Sequence, residues 1–220
     1  MPEMRVHFGQ MLNKLTSDLL ELGSRARGAV ARGAQAFVEN NPDLANDVIS
    51  EDYTTNDMRY AIEQECYRLL AMEAPVVGDL RAIVAGLIVS IELERIADHG
   101  KKLAKITLRS RDLARPMPMD GLVRMSELAV EMLDRSMEAI ARRDPEIARE
   151  VIAMDDALDA LYKQLFNVTL SYMLEQNRAI GIGTYIIEAA HELERVGDRA
   201  TNIAERVIYV ITGQLADQNV

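Results

Sequence analysis

Ile91-Glu-Leu-Glu-Arg-Ile-Ala-Asp-His-Gly100 is repeated one hundred positions later as His191-Glu-Leu-Glu-Arg-Val-Gly-Asp-Arg-Ala200, and this repeat is the strongest indication of how the chain is organised. Each copy lies in a long run where apolar residues recur every three or four positions, the spacing of one helix face. Each copy also places a glutamate and an aspartate four residues apart. On a helix these two acids share a face and repel each other, so a neutralising group is expected near each pair.

The same helical spacing continues on both sides of the repeat. Proline-containing and glycine-containing breaks separate the runs, because proline ends a helix at or before the preceding residue. No stretch shows the strict alternation of a strand followed by a hairpin turn. The sequence therefore predicts an all-α protein of six long antiparallel helices, at about residues 6–39, 43–72, 76–111, 120–143, 145–174 and 183–212, the last break being the Gly181/Gly183 pair.

A second internal match shows that the duplication includes more than the repeated stretch. Pro42-Asp-Leu-Ala-Asn-Asp-Val-Ile49 resembles Pro145-Glu-Ile-Ala-Arg-Glu-Val-Ile152. Internal repeats of this kind indicate repeated structural units. We therefore expect two tandem, pseudo-symmetric three-helix bundles without a sheet, one at residues 1–114 and one at residues 119–220, separated at the Pro116/Pro118 pair.

Composition limits the class of protein. The 220 residues carry a formal net charge of −10, which argues against nucleic acid as a partner, because phosphate binding requires a basic surface. The single cysteine, Cys66, excludes an internal disulfide and is expected in the core of a cytoplasmic protein. The first residues lack the apolar run of a signal peptide, and no apolar run is long enough to cross a membrane.

The acids of the second half predict a metal site. On a helical projection the stripe of Glu194, Asp198 and Asn202 opposes the apolar stripe of its helix. Asp155 and Asp159 repeat this arrangement on the preceding helix, so the two stripes are expected to border one surface groove. Carboxylate and amide oxygens in this number suit a hard divalent or trivalent cation.

The first half has a weaker version of this predicted site. Asp52, Glu94 and Asp98 stand at the equivalent positions, but Asn56 replaces one carboxylate. Lys102 stands where the second half has an asparagine, and it is expected to neutralise the nearby acids. If one half binds a cation tightly, the sequence favours the second.

Two alternatives to a metal-binding regulator remain open. The acidic stripes are equally what a solvated helix surface shows, with neighbouring arginines forming exposed ion pairs. Glu188-Ala-Ala-His191 matches the Glu-x-x-His unit of di-iron sites in helical bundles, which would indicate a metal-dependent enzyme or a metal store. Those sites need two such units with inward-facing carboxylates, and the sequence contains one.

The repeated motifs resemble the duplicated signature of the PhoU family of phosphate-transport regulators. Leu93-Glu-Arg-Ile-Ala-Asp98 and the longer Leu193-Glu-Arg-Val-Gly-Asp-Arg-Ala-Thr-Asn-Ile-Ala-Glu-Arg-Val-Ile208 carry the resemblance. Ala74-Pro-Val-Val-Gly-Asp-Leu-Arg81 and Asp155-Asp-Ala-Leu-Asp-Ala-Leu161 are similar to the family's other recurrent segments. The resemblance extends over nearly the whole chain.

The resemblance implies a non-enzymatic negative regulator built of two three-helix bundles and often dimeric. Such proteins repress the phosphate-starvation response when phosphate is abundant. They are implied to act in the cytoplasm between the ATPase of the phosphate importer and a sensor histidine kinase, and to reach the membrane only through these partners. Some members carry iron, zinc or nickel at the acidic motifs, and no organic cofactor is implied.

Overall fold

The computed structural model describes residues 2–72, 75 and 77–214 and consists of six long helices. No strand occurs among these residues, so the predicted all-α fold is confirmed. A single 3-10 turn, Asn177–Ala179, precedes the last helix. The helices are α1 (Pro2–Glu39), α2 (Pro42–Met72), α3 (Val77–Ser110), α4 (Asp120–Arg142), α5 (Pro145–Glu175) and α6 (Ile180–Thr212).

The same kind of turn joins the first two helices of each half. Asn40 and Arg143 both have left-handed backbone conformations, with φ of 53° and 52°, directly after α1 and α4. Proline then opens the next helix, where its missing N–H has no helical partner to lose. In the second half, the Asp144 side chain caps α5 by accepting a hydrogen bond of 2.9 Å from the amide of Glu146.

One predicted break is wrong. The last helix was expected to begin at about residue 183 after a glycine turn, but α6 begins at Ile180 and both Gly181 and Gly183 lie inside it. The chain turns instead at Gln176, which has an extended backbone. Gly183 leaves room for the Met173 side chain, because a Cβ at position 183 would lie 2.6 Å from Met173 Cγ of α5.

Within each half the three helices pack against one another, and α3 packs against α6 across the two halves. Helix α1 also contacts α4, so four helices line the contact between the halves. Leu93 and Ile96 of α3 and Leu193 and Val196 of α6 are fully buried. The bundle arrangement agrees with the prediction. Residues 111–119, which contain the proline pair, lie outside the helices, and the exact domain boundary remains a prediction.

The repeated stretch also sets how closely the helices approach. In the first half, α1 crosses α3 at Gly33 and Gly100, and a methyl group on Gly100 would lie 2.6 Å from the Val30 nitrogen. At the equivalent crossing of α4 and α6, Ser136 and Ala200 stand in place of the two glycines. There the buried Ser136 hydroxyl donates a hydrogen bond of 3.0 Å to the Ala200 carbonyl. The first half is therefore the more tightly packed of the two at this point.

The described helices agree with two further expectations. None of them combines the length and the apolar character that a membrane span requires. Cys66 is fully buried in the core, as expected, and burial raises the pKa of its thiol to about 11. At neutral pH this thiol stays protonated and is not a nucleophile.

Candidate functional site: two acidic faces

The structure places the predicted ligands on two partly buried faces, one in each half. We call them the first and second acidic faces. The first lies on α2 and α3, and the second on α5 and α6. The members of the first face are Asp52, Asn56, Glu94 and Asp98, and the members of the second are Asp155, Asp159, Glu194, Asp198 and Asn202.

The carboxylates of the second acidic face repel one another across two helices. Burial raises the pKa of Asp155, and the negative charges of Asp198 and Asp159 raise it further, against a weak contact of 3.5 Å with Thr201. Burial, Asp198 and Asp159 likewise raise the pKa of Glu194. The structure therefore brings the acids of α5 and α6 together, as the sequence predicts.

Basic side chains neutralise this face only from its edges. His191 Nδ1 lies 3.2 Å from Glu194 Oε2, and the histidine side chain is 53% exposed. Arg195 and Lys163 lie 3.8 Å and 3.5 Å from the carboxylates of Asp198 and Asp159. The contact of Glu194 Oε2 with His191 does not have hydrogen-bond geometry, so this buried oxygen has no hydrogen-bond partner among the described residues. Asp155 has no ion-pair partner in the described part of the chain, and the negative charge of the face is only partly compensated.

The first acidic face contains its own cation. The ammonium group of Lys101 donates a short hydrogen bond to Asp52 Oδ2 and lies 4.0 Å from Asp98 Oδ1. Asn56 donates to the same Asp52 oxygen over 3.2 Å. Burial, followed by Asp98, nevertheless raises the pKa of Glu94. A side-chain ammonium thus takes the position that a bound cation would need.

The lysine predicted for this role is the wrong one. Lys102 was expected to neutralise Glu94 and Asp98, but its Nζ lies 3.5 Å from Glu192 of the other half. Consecutive helical residues point about 100° apart, so Lys101 faces α2 while Lys102 faces α6. The sequence pattern correctly indicated that a lysine weakens the first face, but it did not identify which.

A polar network between α3 and α6 was missed at the sequence level. His99 Nδ1 lies 2.5 Å from Glu192 Oε2, and the equivalent pair, Arg199 and Glu92, is 3.2 Å apart. All four side chains are at most 16% exposed. The signal was present in the repeated stretch, where a glutamate and a basic residue seven positions later border the apolar stripe in both copies.

The arrangement of the acids bears on the metal prediction in two ways. Within residues 2–72, 75 and 77–214, no three side chains of His, Cys, Asp or Glu are close enough together to form a ready-made ligand set. Asn202 lies one turn after Asp198 and makes no hydrogen bond to another described side chain. The oxygen donors and the only partly compensated charge of the second face fit a cation, which would have to draw the acids closer.

The Glu-x-x-His unit does not form an interior di-iron site. Glu188 forms an ion pair with Arg109 of α3, and its side chain is 38% exposed. His191 lies on the surface beside Glu194. Di-iron bundles instead place such ligands inward from facing helices. The geometry gives the alternative of a di-iron enzyme no support.

Comparison with known families matches both halves of the chain. The family model described as PhoU domain matches residues 19–107 and again residues 122–207. The phosphate-specific transport system accessory protein PhoU homolog of Rhizobium meliloti is 35% identical over 94% of this chain and 87% of its own length. The homolog of the same name from Clostridium acetobutylicum is 33% identical over 96% of this chain and 97% of its own.

Solved structures show the same architecture. The crystal structure of PhoU from Pseudomonas aeruginosa matches with a TM-score of 0.90 and 32% identity, covering 94% of this chain and all of that one. The phosphate transport system regulatory protein PhoU from Streptococcus pneumoniae matches with a TM-score of 0.87 and 30% identity over 96% of this chain and 99% of its own. Matches of this extent include the helices of both acidic faces.

Proposed function

This chain belongs to the PhoU family, and on that premise we propose that it is a non-enzymatic adaptor that regulates phosphate uptake. Relatives of similar length are named as accessory proteins of phosphate-specific transport systems. In the proposed role the protein acts in the cytoplasm, as a homodimer. It binds the ATPase of the phosphate importer and a sensor histidine kinase, and represses the starvation response when phosphate is abundant.

An exposed tyrosine stripe on α2 supports the adaptor role most directly. Tyr53, Tyr60 and Tyr67 are 69%, 58% and 47% exposed and are spaced seven residues apart. Seven residues are close to two helical turns, so the three rings follow one face of the helix. Tyrosines are enriched in protein interfaces, and they account for much of the binding energy there. The stripe is the surface that we assign to a protein partner.

The second half supplies a matched control for this surface. The positions of α5 equivalent to Tyr53 and Tyr60 are Asp156 and Lys163, which are also exposed. An adaptor changes the state of a partner only by binding one of its states more tightly. The tyrosine stripe is present in one half alone, so it gives the two halves different binding properties.

The test measures binding of the full-length protein to the purified importer ATPase and to the cytoplasmic part of the kinase by calorimetry. We expect Tyr53→Ala/Tyr60→Ala to weaken binding to at least one of them about tenfold or more. Asp156→Ala, which changes the exposed position equivalent to Tyr53 and leaves Lys163 beside Asp159, is expected to bind normally. Binding to neither partner, together with an unchanged phosphate response after deletion of the protein, would show that the adaptor function is wrong.

The second acidic face is proposed to bind iron, zinc or nickel and so to shape one surface of the adaptor. Its support is that Asp155 has no ion-pair partner among the described residues and that burial and neighbouring carboxylates raise the pKa of both Asp155 and Glu194. Oxygen donors favour hard cations, and His191 at the edge would add a nitrogen ligand suited to these metals. The first face is proposed as the weaker site because Lys101 already neutralises Asp52 there.

Elemental analysis of untagged protein purified without chelator tests the metal assignment. We expect stoichiometric metal in the parent protein and its loss in Asp155→Ala/Asp198→Ala, with helix content nearly intact. Asp47→Ala/Asp112→Ala removes two exposed carboxylates elsewhere and is expected to keep the metal. Equal metal content in both variants would contradict the ligand assignment. Absence of metal from the parent would make the second face a charged surface only.

A further inference from the structure

A cavity of about 330 Å³ opens between the two halves, enclosed by α1, α3, α4 and α6. Its size lies within the range of small-molecule sites, which are mostly apolar with a few placed polar groups. The walls are mostly apolar and come from both halves. They include Leu15, Leu19, Val89, Val207 and Ile211.

The charged residues that line the cavity have no described partners. Arg143 is exposed directly after α4, and Arg206 is partly buried on α6. Neither guanidinium makes an ion pair or a hydrogen bond with the part of the chain that the structure describes. Asp79, in the first turn of α3, also lines the cavity and is likewise unpaired there. Two cations against one anion give the lining a net positive charge.

The pseudo-symmetric counterpart of this cavity is closed by the chain itself. Phe37 and Asn40 occupy the positions equivalent to Ile140 and Arg143. The Arg115 guanidinium donates hydrogen bonds of 2.5 Å to the Phe37 carbonyl and 3.0 Å to Asn40 Oδ1. It also lies 4.8 Å above the Phe37 ring. At this end the walls offer acceptors, and the linker between the halves supplies the cation.

The open end has the opposite polarity. Arg143 replaces the acceptor Asn40, so the wall itself now supplies a cation. The complementary occupant is therefore an anion. Arginine binds carboxylate and phosphate groups through paired hydrogen bonds, which are stronger than those between neutral groups. The apolar lining residues favour an anion that also carries an apolar body.

We propose that this cavity binds a small amphipathic anion, with its carboxylate or phosphate group at Arg143 and Arg206 and its apolar part against Leu15, Leu19 and Val207. Such a ligand contacts both halves of the duplication at once. It therefore stabilises one relative position of the halves. The proposal depends neither on the adaptor function nor on a bound metal.

Calorimetric titration of the full-length protein with decanoate tests the proposal. We expect saturable binding at one site and about a tenfold or greater loss of affinity in Arg143→Gln/Arg206→Gln. The control Arg124→Gln/Arg142→Gln removes the same charge from exposed positions of α4 that do not line the cavity. It is expected to bind decanoate as the parent does. Equal losses in the two double variants, or no saturable binding by the parent, would overturn the proposal.

Three further titrations test the charged head group and the apolar chain separately and compare a carboxylate with a phosphate head group. Decyl phosphate is expected to compete with decanoate, because either head group can pair with the arginines. Decanol lacks the charge and inorganic phosphate lacks the apolar body, so each is expected to bind more weakly than decanoate. Decanol binding as tightly as decanoate would refute the anion assignment. Inorganic phosphate displacing decanoate at equal concentration would refute the need for an apolar body.

Discussion

His99 of the first half and Glu192 of the second are joined by a hydrogen bond of 2.5 Å between Nδ1 and Oε2. Both side chains are largely buried, at 8% and 14% exposure. The contact lies in the antiparallel packing of α3 on α6, where the duplicated stretches face each other. It makes the protonation state of Glu192 part of the free energy that holds the two halves together.

Stability should therefore fall in acid as Glu192 is protonated. Burial opposes ionisation of Glu192, but the hydrogen bond and charge of His99, with the charge of Lys102, lower its pKa below the ordinary 4.5. Because the pKa of Glu192 is lower in the folded state, the stabilisation by its ionised form is fully present above pH 4.5. It is lost as the pH falls through the pKa of the folded state. We expect Glu192→Gln to lower the free energy of unfolding by about 1–3 kcal/mol at pH 7. On acidification the variant should lose less stability than the parent protein.

Denaturant unfolding at a series of pH values measures this effect. Glu127→Gln changes an exposed glutamate of α4 and is the matched control, with no change expected. If the two variants have equal stability at pH 7, the bond between His99 and Glu192 does not hold the halves together.

The equivalent pair of Arg199 and Glu92 should show strong energetic coupling. Their side chains are 16% and 12% exposed, so removing one partner leaves the other charge largely buried and unpaired. We expect Arg199→Met and Glu92→Gln to be destabilising singly, with a coupling energy of about 1 kcal/mol or more in a double-mutant cycle. Urea unfolding of the four proteins provides the measurement.

The cross-helix pair of Arg135 and Glu150 is the control for that cycle. Its side chains are 40% and 58% exposed, and its atoms lie only 2.6 Å apart. Exposed pairs contribute roughly 0–1 kcal/mol, so the coupling should be the smaller of the two. If the coupling energy of Arg135 and Glu150 were as large as that of Arg199 and Glu92, burial would not strengthen the contact between the halves.

Gly100→Ala should destabilise the first bundle by about 1–3 kcal/mol. The added methyl group would meet backbone atoms of α1, which cannot move aside as a flexible side chain can. Gly28→Ala is a suitable comparison, because a Cβ there meets nothing within 4 Å. It is expected to stabilise α1 by about 0.5–1 kcal/mol through higher helix propensity. Thermal unfolding followed by circular dichroism distinguishes the two, and a stabilising effect of Gly100→Ala would contradict the close helix crossing.

Asp155→Asn should stabilise chelator-treated protein at pH 7 by about 0.5 kcal/mol. Burial and the charges of Asp198 and Asp159 raise the pKa of Asp155 above its ordinary 3.8. Because the pKa of Asp155 is higher in the folded state, its ionised form destabilises the folded protein, and this effect is complete above the pKa of the folded state. The destabilisation disappears as the pH falls below 3.8. The gain from the variant should therefore shrink in acid, as measured by urea unfolding at several pH values. A constant gain would mean that charge repulsion is not its cause.

Thr201→Lys should give the second acidic face the character of the first. Lys101 is its equivalent, directly after the repeated stretch, and forms an ion pair with Asp52. A lysine at position 201 would place an ammonium beside Asp155 and compete with a bound metal. We expect its metal content to fall to that of Asp155→Ala/Asp198→Ala, and Lys101→Thr to raise metal binding by the first face. Unchanged metal content in Thr201→Lys would place the metal elsewhere.

Most of the helical architecture followed from local patterns. The predicted ends of α2 and α5 lie within one residue of those observed, because proline and apolar spacing act over a few residues. The start of α6 was missed because Gly183 serves the packing of Met173, a contact that no local pattern reports. The structure places the acids of each half on one face, since helical spacing alone decides which residues of a helix lie side by side. Their role as metal ligands stays a prediction.

The duplicated all-α organisation and the acidic stripe of each copy can be inferred from the chain alone, because helical periodicity and proline breaks act between neighbouring residues and the repeat is visible when the two segments are compared. Packing was needed to show that His99 meets Glu192, that Lys101 rather than Lys102 neutralises the first face, and that Arg115 of the linker binds the end of α1 at Phe37. Those relationships join residues far apart in the chain. They depend on how α3 rests against α6, and that packing results from the whole core.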